Sequence, residues 1–194
     1  MAVHAVLAAS AIAAATLPQQ ASAGPDPCTV TGTAVLSATC TGNQSGGISY
    51  GFYDNSIGPI YLTEVNSVYL LGGALTSNIN PAAGTAGVNL LGASTTPFWL
   101  QMTDTARSIG TFGDNAFGLG VRNLGTNLRD YFAGTATLVN WSQISTNGRN
   151  APALWAASGV DLFESDFGHS TDAGGGNSAV VVNTGNLYSF SGAA

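Results

Sequence analysis

Short apolar runs, each closed by Asn or Gly, recur along most of the chain. The clearest are Ser67-Val68-Tyr69-Leu70-Leu71, Gly87-Val88-Asn89-Leu90-Leu91, Thr135-Ala136-Thr137-Leu138-Val139 and Ala179-Val180-Val181-Val182. β-Branched and aromatic residues bounded by turn-formers read as strands. No apolar spacing of 3.6 residues persists for three turns beyond the first 23 residues, because Gly, Asn, Ser and Thr interrupt almost every window. An all-β fold follows. The phrases Val139-Asn140-Trp141-Ser142-Gln143-Ile144 and Val182-Asn183-Thr184-Gly185-Asn186-Leu187 are alike, and Gly159-Val160-Asp161-Leu162 opens a third run between them. Val139, Val160 and Val182 stand 21 and 22 apart, and Val65-Asn66 and Val88-Asn89 stand 23 apart. One strand phrase every 22 residues or so predicts a parallel β-helix of roughly six or seven coils. Stacked coils satisfy one another's backbone, with Asn side chains bonding between turns. Two stretches break the rhythm and read as loops, Phe112 to Phe132 and Ile57 to Thr63. The alternative is a β-sandwich, with strands every 8 to 12 residues and no recurring phrase.

Residues Met1 to Ala23 have the form of a secretory signal peptide. An Ala-rich stretch runs from Ala5 to Leu17, Pro18 ends it, and Ala21-Ser22-Ala23 offers the small residues a signal peptidase accepts. The n-region departs from the usual pattern, holding His4 and no Lys or Arg. No other window reaches the roughly 18 apolar residues of a spanning helix. The chain is therefore expected to be exported through the inner membrane, to the cell surface, the outer membrane or the medium. Cys28 and Cys40, the only cysteines, are expected to form a structural disulfide in an oxidising compartment. A metal site lacks partners, since His169 is the only His beyond the signal segment. The expected division is 1–23 signal peptide, 24–60 N-terminal cap with the disulfide, and 61–194 β-helical segment, incomplete at its C-terminus.

Charge narrows the partners. Charged residues make up 7% of the chain, Lys is absent, and four Arg face ten Asp and Glu. A nucleic-acid binder needs a basic face to neutralise phosphates, so that class is excluded. Hydrophobic residues reach 45%, which argues against disorder. Ser, Thr and Asn supply 53 residues, so hydroxyls and amides rather than ions keep the surface wet.

The segment Cys28-Thr29-Val30-Thr31-Gly32-Thr33-Ala34-Val35-Leu36-Ser37-Ala38-Thr39-Cys40-Thr41-Gly42-Asn43-Gln44-Ser45-Gly46-Gly47-Ile48 resembles the mature N-terminus of bacterial autotransporter passenger domains. The Val-Asn-x-x-x-Ile phrase and Ala153-Leu154-Trp155-Ala156-Ala157 are also similar to passenger coils. The resemblance is tight over residues 28 to 48 and compositional elsewhere. It implies a pectate-lyase-like, right-handed parallel β-helix carried to the surface by a C-terminal outer-membrane β-barrel. No barrel pattern of alternating ten-residue strands is present, so the chain reads as a truncated passenger, and the family's anchoring function attaches to no residue here.

Catalytic chemistry is sparse. Gly42-Asn43-Gln44-Ser45-Gly46 is not a nucleophile elbow, and Gly113-Asp114-Asn115 is no protease signature. His169 lies among Asp166, Ser170 and Asp172, where a base with flanking carboxylates is conceivable but a polar turn explains the same residues. A polysaccharide lyase or hydrolase would use clustered carboxylates, for which Asp161, Glu164, Asp166 and Asp172 are the candidates, with Arg107, Arg122, Arg129 and Arg149 as complements. Alternation along Val160 to Phe163 puts Asp161 on the outer face. Trp99, Trp141 and Trp155, with Phe98, Tyr131 and Phe132, are candidates for a sugar-stacking face, though Trp141 and Trp155 equally suit core or coil-end packing. Gly174-Gly175-Gly176-Asn177 lacks the Asp of a Ca²⁺-binding repeat and reads as a turn. No cofactor or metal is expected. The leading expectation is a non-enzymatic adhesin or stalk with a host-surface or polysaccharide ligand. A secreted polysaccharide-active enzyme and a piece of a membrane β-barrel are the alternatives.

Overall fold

The computed structural model describes residues 26–54, 60–62, 65–92, 94–123, 134–158 and 178–190. The signal-peptide segment 1–23 lies outside them. Fifteen short strands form among the described residues, with no α-helix. They are β1 (Thr29–Thr31), β2 (Ser37–Thr39), β3 (Ile48–Tyr50), β4 (Phe52–Asp54), β5 (Ile60–Leu62), β6 (Ser67–Leu70), β7 (Val88–Gly92) and β8 (Phe98–Met102). There follow β9 (Ser108–Phe112), β10 (Leu119–Asn123), β11 (Thr135–Asn140), β12 (Gln143–Asn147), β13 (Leu154–Ser158), β14 (Ser178–Asn183) and β15 (Leu187–Ser189).

Three sheets collect thirteen of these strands, in the orders β1-β2-β6-β8-β11-β14, β13-β10-β7-β3 and β15-β12-β9, and β4 and β5 form a separate two-stranded sheet. Within the three larger sheets only β1–β2 is antiparallel; every other pair is parallel. A β-sandwich would show the opposite preference. From β8 onward the chain visits the first, third and second sheets in that order, then repeats through β11, β12 and β13, and begins again at β14 and β15. The circuit before β8 follows the same route, with a parallel bridge from Ile79 to Ile109 in place of a third-sheet strand.

The spacing of the circuits differs from the expected 22 residues. Register partners in successive parallel strands are between 30 and 43 residues apart, as in Ser37 to Ser67 and Asn140 to Asn183. Val139 and Val182 are direct partners in adjacent strands, so the 22-residue interval divides one long circuit in two. Val65 precedes β6 in the first sheet, whereas Val88 belongs to the second and pairs with Ile48 and Leu119. The resemblance of those phrases reflects a shared strand-to-corner solution rather than equivalent positions. Five circuits account for the described strands.

Alternation in each strand sends one set of residues inward. Ala38, Val68, Leu100 and Leu138 are successive partners in the first sheet, and all are fully buried. Val88 and Leu119 continue the core from the second sheet, and Ile79, Ile109 and Ile144 from the third. Burying each Leu or Ile stabilises the fold by about 1.5–3 kcal/mol. The inner column thus supplies most of the driving force.

Neither predicted loop survives intact. Leu119–Asn123 of the 112–132 stretch is a strand held between β7 and β13. Gly118 answers to crowding instead of turning: a Cβ there would meet Ile144 Cγ2 at 2.4 Å and the Ala153 carbonyl at 2.5 Å. Ile60–Leu62, in the second predicted loop, pairs antiparallel with Phe52–Asp54.

Candidate functional site

The corners between strands hold the polar chemistry. Asn140, fully buried, ends β11. Its Oδ1 accepts from the Ser142 backbone N–H (3.1 Å), and its Nδ2 donates to the Ser142 carbonyl (2.9 Å) and to Asn183 Oδ1 (2.8 Å). Asn183 in turn donates to the Gly185 carbonyl at 2.9 Å. Each Asn therefore closes its own turn while the amides link consecutive circuits, which is why Asn recurs after the valines. Asp104 fills the corner one circuit earlier. Its carboxylate is buried and accepts from the N–H groups of Ala106 (3.0 Å) and Leu75 (3.2 Å), while its carbonyl accepts from the Ser142 hydroxyl.

A second corner is organised by Asn123, whose Oδ1 accepts from Ser94 N–H (3.0 Å) and whose Nδ2 donates to the Thr96 carbonyl (2.9 Å). At the third, Thr111 donates to the Ala116 carbonyl (2.5 Å) and Thr146, its partner one circuit on, to the Ala151 carbonyl (2.6 Å). The phrases Gly113-Asp114-Asn115-Ala116 and Gly148-Arg149-Asn150-Ala151 occupy equivalent turns, with φ of 61° at Asn115 and 51° at Asn150. Asn tolerates that left-handed conformation better than most residues. Across these turns Arg149 donates to Asp114 Oδ2 through Nε (3.0 Å) and Nη2 (2.6 Å), and through its backbone N–H to Oδ1 (3.0 Å). The side-chain hydrogen bond from Arg149, then that from its backbone, holds the Asp114 carboxyl below its ordinary value. The same side-chain bond raises the guanidinium of Arg149. Inspection of strand phrases alone misses this pair; the 35-residue recurrence of Gly-x-Asn-Ala is the signal that finds it.

The candidate catalytic residues Asp161, Glu164, Asp166, His169 and Asp172 lie outside the described residues, as do Arg129, Tyr131 and Phe132 and the turn at 174–177. Of the arginines proposed to complement them, Arg107 donates to the Leu75 carbonyl (3.1 Å) and Arg149 holds Asp114. Arg122 lies 5.8 Å from the centre of the Trp155 ring. No group of three His, Cys, Asp or Glu side chains among the described residues could hold a metal ion.

The aromatic candidates among the described residues do not share a face. Phe98 is buried in the core, whereas Trp99, next along the same strand, points out of the first sheet and donates from Nε1 to Gln101 Oε1 (3.1 Å). Trp155 belongs to the second sheet, where its ring lies 5.4 Å from that of Phe117. Trp141 follows β11 at a corner and is 48% exposed. It does not fill the core. The outer surface so formed can hydrogen-bond through amides and hydroxyls and stack on scattered rings.

The N-terminal end is tied down locally. Cys28 and Cys40 are disulfide-bonded, compatible with folding outside the reducing cytoplasm. The buried Gln44 donates from Nε2 to the carbonyls of Asp26 (2.9 Å) and Thr41 (2.8 Å), and Asn43 N–H donates to Asp26 Oδ2 (2.7 Å). No helix among the described residues is long and apolar enough to cross a membrane. Comparison with known protein families, curated proteins and solved structures finds no match.

Proposed function

We propose that this chain is an exported passenger segment of the autotransporter type, wound as a right-handed parallel β-helix, and that it works at the cell surface as an adhesin or stalk. The observation that carries the reading is the repeated passage of the chain through three parallel sheets in one fixed order. The disulfide adds support for a non-cytoplasmic site of folding. So does the use of Asn140, Asp104, Asn123 and Thr146 as corner fasteners, which is the work of a structural rod. A host-surface or polysaccharide ligand would meet the outer faces.

Protease shaving of cells producing the natural protein tests the location. Gly73 suits an inserted epitope, since it sits in a turn with nothing within 4 Å of a Cβ placed there. Digestion of that epitope on intact cells is the expected result; protection until lysis overturns the reading. Cleavage of pectin or another uronate polymer, lost in Asp161→Ala, would instead establish the enzymatic alternative.

A further inference from the structure

The outer face of the first sheet carries an exposed ring that its own strand holds in place. Opposite the inward Val68, Leu100 and Leu138, strands β6, β8 and β11 send Ser67, Tyr69, Trp99, Gln101, Thr137 and Val139 outward. Each of these strands has a described neighbour on both sides. Ser67 and Thr137, the partners of Trp99, are 7% and 9% exposed, whereas Trp99 is 38% exposed. The indole therefore projects beyond its neighbours. Its Nε1 donates to Gln101 Oε1, so its polar handle is occupied and the ring is left as a stacking surface. Gln101 Nε2 donates to no group among the described residues. Tyr69 lies diagonally across from Trp99, one strand back and two residues on, which strand geometry puts at about 8 Å between Cα atoms. No charged residue occurs in β2, β6, β8 or β11.

We propose that this face binds a neutral β-linked glucan, with one pyranose stacked on the Trp99 indole, Gln101 Nε2 donating to a sugar hydroxyl, and Tyr69 beside the next unit. A hexopyranose with equatorial hydroxyls has an apolar C–H face and a polar rim. An indole next to an amide with N–H groups to spare matches both. An acidic glycan fits worse: its carboxylate or sulfate would lose water on this face without gaining a cation, and the net charge of −6 repels it at longer range. The hydroxyls of Ser67, Tyr69 and Thr137 interrupt the apolar atoms, which is unlike the apolar centre of a protein interface. The inference rests on the reading of the outer faces as ligand-binding, and narrows that ligand to one class and one sheet.

Affinity electrophoresis of the purified natural protein, through gels holding either soluble mixed-linkage β-glucan or polygalacturonate, tests it apart from export. Retardation by the β-glucan and not by polygalacturonate is expected. Trp99→Ala should weaken binding about tenfold, and Gln101→Ala by a smaller factor. Phe112→Ala removes a ring that is 56% exposed on the third sheet, and should leave binding unchanged. The β-sheet circular dichroism should be the same in all three. No retardation by the β-glucan, equal retardation by polygalacturonate, or equal loss in Trp99→Ala and Phe112→Ala would each overturn the proposal; should Trp99→Ala fail to fold, Gln101→Ala set against Phe112→Ala still decides. None of these outcomes bears on export, which stands or falls on digestion of the Gly73 epitope.

Discussion

Among the described residues the first sheet begins at β1 and ends at β14, and the two ends are finished differently. At the start, β1 doubles back on β2, the Cys28–Cys40 disulfide ties the hairpin, and Gln44 and Asp26 fasten the next turn to it. At the other end β14 simply continues the parallel ladder, and its core-facing valine is as exposed as its neighbours. Inward-pointing residues are thus not core by virtue of direction alone. Among the described residues, Leu138 has a strand on both sides of it and is buried, whereas Val181 has one only on one side and is exposed.

Truncating a central residue should separate the regions most clearly. Phe98→Ala, in a fully buried position of β8, is expected to cost about 3–5 kcal/mol. Val181→Ala, at an exposed position, should cost about 0.5 kcal/mol or less. Denaturant titration of the two variants checks this. Replacing both Cys28 and Cys40 by Ser should cost about 3 kcal/mol in the loop-entropy account. Hydrogen exchange should then show faster exchange in β1 and β2 and little change in β14, since the cross-link acts on the hairpin that contains it. Asn140→Ala leaves the buried N–H and carbonyl of Ser142 without their partner, at about 1–3 kcal/mol. Leu at that position should do no better, because the lost hydrogen bonds decide the cost.

The smallest effect belongs to the exposed Asp114–Arg149 pair. Because the Asp114 carboxyl is held below its ordinary value of 3.8, its contribution is fully present above that pH and is lost as the pH falls through the lowered value. Acid unfolding of the protein and of Asp114→Asn should therefore differ above this window and converge below it, with added salt shrinking the difference. A difference that grew on acidification would mean that the pair is not what links these turns.

Strands were legible where β-branched residues cluster: the phrases at 67–71, 87–91, 135–139 and 179–182 all fall on β6, β7, β11 and β14. The third sheet was not. Its strands Ser108–Phe112 and Gln143–Asn147 carry Gly, Ser, Thr, Gln and Asn at outward or corner positions, so their single inward Ile is too little pattern to separate them from loop. Gly118 and Gly120 misled for a related reason, since a glycine needed for close packing reads like one needed for a turn. The true interval escaped because valine-asparagine phrases mark strand ends in more than one sheet. Equivalence was carried by the corners instead, in Gly113-Asp114-Asn115-Ala116 and its counterpart at 148–151. Of the candidate site, sequence placed the Cys28–Cys40 pair, whereas Phe98 cannot join the suggested aromatic face because it and Trp99 are adjacent in one strand and point to opposite sides.

Partners stay in register although circuits differ in length by as much as thirteen residues, from 30 between Ser37 and Ser67 to 43 between Asn140 and Asn183. The ladder on either side of the added residues is continuous. Such a framework can lengthen, shorten or redecorate its connecting segments without renegotiating its interior. Variation in what the molecule displays is thereby uncoupled from what keeps it folded, and new outer surfaces can arise by simple insertion.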